Sequence, residues 1–234
     1  MSDQFGTPTL RTGDGQLARQ SFMTAVFGWM FLGLALTAGV AAYVAASGDM
    51  LAWFDQHSLA FIILLFAEIG LVVAISAGIS RMPFQMAVFL FALYAAMNGF
   101  TLSIILEIYT TGSIASAFVV SAGMFGAMAT YGYVTGRDLS NLRSILFMGL
   151  IGVILGSVVN IFWASSTLYW FITFAGVLVF CGLTAYDMQK LKKIGSSGMD
   201  EETAQKVSII GALSLYLDFI NLFLFMLRIF GSSR

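Results

Sequence analysis

Charge is scarce in this 234-residue chain, at 10% against about 25% in an ordinary soluble domain. That scarcity, with 59% hydrophobic residues and a mean hydropathy of +0.91, excludes a water-soluble globule and a disordered chain. Eleven basic residues against twelve acidic ones leave no basic excess for binding nucleic acid. A single cysteine, Cys181, excludes a disulfide framework and a thiolate metal cluster. The single histidine, His57, falls in an inter-span loop, so a buried His for serine-type hydrolysis is missing. All four lysines lie between 190 and 206, which leaves no intramembrane Lys for a retinal Schiff base. Two prolines are too few to break the helices at mid-membrane, as the discontinuous helices of many transporters are broken.

What the chain has in quantity is long apolar runs. A helix needs about 20 apolar residues to cross a bilayer and must satisfy its own backbone there. Seven windows qualify: 22–46, 59–80, 84–106, 114–135, 144–163, 168–187 and 207–228. They are continuous, unlike the alternating segments of about ten residues of an outer-membrane barrel. The expected fold is all-α and integral to the membrane, with seven transmembrane helices. Residues 1–21 are expected to be an N-terminal tail, 22–230 the seven-helix domain and 231–234 a short C-terminal tail. The first apolar run is too long for a signal peptide and is read as a retained span.

Basic residues fall on one side: Arg11, Arg19, Arg81, Arg137, Arg143, Lys190, Lys192, Lys193 and Lys206. The alternate loops hold only Asp49, Asp55 and Glu107. The positive-inside rule therefore predicts a cytoplasmic N-terminus, with Arg228 and Arg234 as counter-evidence that leaves room for a re-entrant last helix. Trp53, Trp163, Trp170, Tyr109 and Tyr169 are expected at the outer boundary as an aromatic belt. Gly132/Gly136 and Gly152/Gly156 have the small-xxx-small spacing of close helix packing.

Charge inside a bilayer costs about 2.5–3.5 kcal/mol per residue on insertion scales. Glu68, Asp187, Asp218 and Arg228 carry that cost, and Arg81 borders the second span. Asp218 lies mid-window, too far from either end to snorkel, so it must face protein or a water-filled cavity. Asp187 alone could merely end its helix. Two carboxyls brought together in low dielectric share a proton, and a basic neighbour favours the ionised form. Asp187, Asp218 and Arg81 are thus candidates for a pH-dependent latch. Released carboxylates present oxygens to a hard cation such as Ca²⁺, although two fall far short of the 6–8 oxygens of a tight site. Weak, transient binding of transported Ca²⁺ at Asp187 and Asp218 is expected, with no tightly bound cofactor. Helix rise raises one difficulty: Asp187 is near the cytoplasmic boundary and Asp218 roughly 15 Å deep. They meet only if the sixth helix extends inward or tilts, or the seventh begins closer to the cytosol.

The stretch Ala185-Tyr186-Asp187-Met188-Gln189-Lys190, the stretch ALSLYLDFINLFLFMLRIFG at 212–231 and Asn98-Gly99-Phe100-Thr101-Leu102-Ser103 resemble the Bax inhibitor-1 family of membrane proteins. The resemblance covers the chain from Ser21 to Gly231 and implies six helices around a central last one. It further implies a pH-sensitive Ca²⁺ leak gated by Asp187 and Asp218, with Arg81 closing the latch and Glu68–Arg228 as a supporting ion pair. The short Gly-Ser-Ser-Arg ending is similar to the bacterial branch, which implies an inner (plasma) membrane. Suppression of cell death, known from animal relatives, is not carried over. The expected partners are Ca²⁺, protons and the lipid bilayer, with no nucleic acid. An enzyme is not expected, because an intramembrane aspartyl protease needs Gly-x-Gly-Asp where residues 215–218 read Leu-Tyr-Leu-Asp. A proton-coupled transporter and a non-conducting regulator of other membrane proteins are the alternatives.

Overall fold

Seven helices account for nearly all of the chain. The computed structural model describes residues 12–48, 52 and 56–232; Arg11, Asp49, Trp53, Asp55 and Arg234 lie outside them. The helices are α1 (Thr12–Ser47), α2 (Ser58–Gly78), α3 (Phe84–Ile108), α4 (Thr111–Val134), α5 (Leu142–Trp163), α6 (Ser166–Gly195) and α7 (Glu201–Phe230). All seven are long and apolar enough to cross a membrane. A short 3₁₀ turn, Leu139–Asn141, precedes α5.

Local chemistry sets where each helix begins and ends. Pro83 sits in extended backbone just before α3, where its missing N–H is not needed. The Thr110, Ser165 and Asp200 side chains each accept from a backbone N–H in the first turn of the helix that follows. Glu201 and Glu202 in the first turn of α7 and Lys192 and Lys193 in the last turn of α6 complement the helix dipoles. These polar ends carry α6 eight residues past Asp187 and start α7 six residues before Val207, beyond the apolar windows in both cases.

The last helix is the most buried of the seven. It is apolar on every face, and 72% of its spanning window is buried, against 6% for α5 and 39% at most for the others. Helices α1, α3, α4 and α6 pack on it, α2 touches it lightly, and α5 joins the bundle by packing on α6. At 30 residues, α7 is about 45 Å long, more than the ~30 Å hydrocarbon core. Beyond it, the Ser232 N–H donates to Ser113 Oγ at 2.9 Å and the Thr110 N–H donates to the Ser232 carbonyl at 3.2 Å. The end of α7 is therefore tied to the α3–α4 turn, opposite the turns that carry the basic residues. The helix runs the full length of the bundle without a break, long and apolar enough to cross.

Of the small-residue pairs, Gly132 makes the close approach, since a Cβ there would collide with the Ala185 backbone of α6. Gly136 and Gly152 face open space, and Gly156 only touches Ile172. Tyr109, Trp163, Tyr169 and Trp170 gather at the end of the bundle opposite the basic turns.

Candidate functional site

Two polar assemblies sit inside the spanning region, both built on α7. The first lies on the α6–α7 seam. Asp218 is 4% exposed, and its Oδ2 is the buried side-chain oxygen left without a hydrogen-bond partner among the described residues. The charge acting on it is that of Asp187 across the seam. Asp187 in turn lies near the Ser214 hydroxyl and feels Lys190, one turn along its own helix. Ser214 and Asp218 are four residues apart on α7, so they share a face, and the carboxyl lies one turn, about 6 Å, deeper than the hydroxyl.

A cavity of about 30 Å³ opens between Asp187, Lys190, Gly211 and Ser214. That is room for a water or two. Asp187, Ser214 and Asp218 thus form a ladder of oxygens running inward from the basic end. Asp187 and Ser214 approach each other across the seam, and Asp218 lies one turn further along α7.

The second assembly joins α2, α3, α7 and α1. Glu68 is 7% exposed and accepts from Thr101 Oγ1 at 2.5 Å, and the Asn98 side chain lies near it. The Tyr216 hydroxyl donates to Asn98 Oδ1 at 3.0 Å. Thr37 Oγ1 lies 2.7 Å from that hydroxyl and 2.8 Å from the Ala95 carbonyl. Gly99 permits this meeting of α1 and α3, because a Cβ there would strike the Thr37 backbone. Asn98 and Thr101 lie in the Asn98–Ser103 motif, yet the sequence offered no roles for them, nor for Thr37, Ser214 and Tyr216. A usable signal existed for two: Ser214 and Tyr216 are polar side chains within a turn of Asp218 in an otherwise apolar helix.

Two expected pairings are not formed. Arg81 is exposed in the turn between α2 and α3 and makes no ion pair with Asp187 or Asp218 among the described residues. The reason is topological: α2 and α3 pack on one side of α7, and α6 packs elsewhere on it. Glu68 and Arg228 are also apart. Glu68 is mid-way along α2, whereas Arg228 is two residues from the end of α7. There its guanidinium lies 5.2 Å from the Phe225 ring centre and 5.5 Å from that of Tyr169.

Comparison with known proteins gives a consistent picture. A family model described as inhibitor of apoptosis-promoting Bax1 matches residues 19–234. The chain is 51% identical over 217 residues to the inner membrane protein YbhL of Escherichia coli (strain K12), covering 92% of this chain and 93% of that protein. It is 41% identical over 219 residues to a protein of Borreliella burgdorferi (strain B31), covering 93% and 94% of the two chains. It is 42% identical over 224 residues to a protein of Rickettsia prowazekii (strain Madrid E), covering 96% and 94%.

Proposed function

The chain belongs to the Bax inhibitor family of membrane proteins, and from that premise we propose that it is a pH-sensitive Ca²⁺ leak channel of a bacterial inner membrane, gated at the α6–α7 seam. One observation carries the reading: a buried carboxylate oxygen of Asp218, midway along an apolar window, has no partner among the described residues. Buried polar atoms are nearly always paired, and an intramembrane acid is expensive. A structural acid would be finished like Glu68, whose carboxylate accepts from the Thr101 hydroxyl. Asp218 instead has an ionisable neighbour and a vacant acceptor.

The chemistry of such a pair fits a gate. With a proton on one carboxyl, Asp187 and Asp218 tolerate each other and the seam stays shut. With the proton lost, like charges repel and the oxygens of Asp187, Ser214 and Asp218 become successive contacts for an entering cation. Three oxygens are well below the ~6–8 that Ca²⁺ prefers, which favours passage over retention. The basic end of the bundle is the cytoplasmic side in this scheme, by the positive-inside rule. Arg81 stands outside the gate in the closed arrangement.

The test is Ca²⁺-indicator uptake into proteoliposomes across pH 5–8, with empty vesicles as control. The wild-type protein should give a flux that changes with pH, and Asp218→Asn and Asp187→Asn should each flatten that response while the protein stays folded. Unchanged flux-versus-pH curves in both variants would remove the gate. Absence of any wild-type flux would remove the channel in favour of a non-conducting regulator.

A further inference from the structure

The bundle has an open side. No close-packed seam joins α1 to α4, and the gap between them is floored by α6 and α7. Toward the basic end it widens into a cleft of about 800 Å³, lined among others by Met23, Phe27, Phe125, Ala129 and Met188. Toward the other end it continues as a cleft of about 360 Å³ against Leu34, Ile114, Phe118, Phe219 and Phe223. Both volumes are in the range of about 300–1,000 Å³ that small-molecule sites occupy. Gly28 on α1 and Gly126 on α4 line the larger cleft, and a Cβ at either would meet nothing within 4 Å. The walls are held open over bare backbone.

The mouth at the basic end has a different character. Tyr133 lines it, and two cations approach the same ring. Lys192 Nζ is 5.1 Å from the ring centre and donates to the Tyr133 carbonyl at 2.6 Å; the Arg19 guanidinium is 6.0 Å from that centre. Neither has a carboxylate partner: the ion pairs among the described residues are Lys193–Asp138 and Lys206–Glu202. A separate polar cleft of about 420 Å³ is bordered by Arg137, Lys192 and Lys193 and by Asp138, whose carboxylate is taken up by Lys193. Two half-buried cations on one ring repel unless an anion answers them.

We propose that the α1–α4 groove is a binding site for an anionic phospholipid, with the phosphate between Arg19 and Lys192 and an acyl chain along the groove. The two halves fit one molecule: an apolar trough at membrane depth and an uncompensated pair of cations at its headgroup end. Basic pockets between transmembrane helices hold anionic headgroups for the same reason, each Lys or Arg adding to the attraction. The assignment does not depend on the gate.

Native mass spectrometry of the full-length protein in detergent, titrated with phosphatidylglycerol or phosphatidylcholine, tests it. The wild-type protein should prefer phosphatidylglycerol by about tenfold or more, given two basic contacts. Arg19→Gln/Lys192→Gln should abolish that preference, whereas Lys206→Gln should keep it. Gly126→Phe, which fills the trough, should remove the adducts of both lipids. Inorganic phosphate should leave bound phosphatidylglycerol in place. Equal affinity for the two lipids, an unaffected double variant, or displacement by phosphate alone would overturn the assignment. So would a dimer mass lost in Gly126→Phe with no lipid adduct, since the groove would then hold a second copy. If the double variant does not elute as a folded species, Arg19→Gln alone must lower the preference; if it does not, the site is refuted.

Discussion

Tyr216 and Asp218 are two residues apart on the same buried helix, yet they belong to opposite kinds of polar site. On the α1–α3 side, Glu68, Thr101, Asn98, Tyr216 and Thr37 hand hydrogen bonds from one to the next and across four helices. On the α6 side, Asp218 keeps a bare oxygen, without a partner among the described residues, and faces the charge of a second acid. Both sites face the same cost of polar atoms in hydrocarbon. The first meets it with partners and so works as a clamp between α1, α2, α3 and α7. The second leaves it unmet, which is tolerable only if the missing partner arrives from outside the fold as a proton or a cation. A completed network specifies structure; an incomplete one is open to function.

The contrast predicts opposite mutational responses. Asn98→Leu should have the largest effect on stability, because it takes a polar neighbour from Glu68 and the acceptor from Tyr216 together. A loss of about 2 kcal/mol is expected, in reversible unfolding by denaturing detergent. The pH response of Ca²⁺ flux in the surviving folded protein should be unchanged. Tyr216→Phe removes one hydroxyl and leaves Glu68 with its donor, so about 1 kcal/mol should be lost. If neither variant is destabilised, the network is not a clamp.

How far these sites were legible in the sequence differs for the same reason. Spans could be found because hydropathy is local, and Asp218 stood out because it lies in the middle of the apolar window 207–228. The apolar windows stop short of the ends of α6 and α7. Hydropathy drops at Lys190 and rises only at Val207, but helix hydrogen bonding continues through water once Asp200 caps α7. That extension is what lets Asp187 reach Ser214. The Asn98–Tyr216 bond joins residues 118 positions apart, and no spacing rule anticipates it. Arg81 and Glu68–Arg228 were paired by resemblance, and axial depth and the side of α7 on which each helix packs keep them apart here. The belt and basic loops could be read from composition, whereas the open side between α1 and α4 depends on which helices fail to touch.

Asp218→Asn is the sharper probe of the unfinished site. The amide retains the shape and removes a charge that nothing in the fold uses, so stability should change by less than about 0.5 kcal/mol or rise. The same substitution should flatten the flux response to pH. A loss as large as that of Asn98→Leu would mean that Asp218 has a structural partner after all, and the contrast between the two faces of α7 would collapse.

Asp138 supplies the water-facing reference for both sites and the smallest effect. Its Oδ1 accepts from Lys193 Nζ at 2.8 Å and from the Ser140 N–H at 3.1 Å, which pushes its pKa down to about 2. A folded pKa below the unfolded one contributes stability above about pH 4, lost as the pH falls through 4 toward 2. The two side chains are 62% and 56% exposed, so solvent screens the pair and thermal stability at pH 7 should not respond measurably to Lys193→Gln. The carboxyl resonance of Asp138 should respond, its midpoint moving up toward the ordinary ~3.9. A midpoint that stays near 2 would show that the Ser140 amide alone holds the charge. Either way, Asp138 can lose its cation and be rehydrated, Glu68 cannot lose its donor without cost, and Asp218 has no donor to lose. The same functional group in three settings separates what solvent, fold and a transient ligand each contribute.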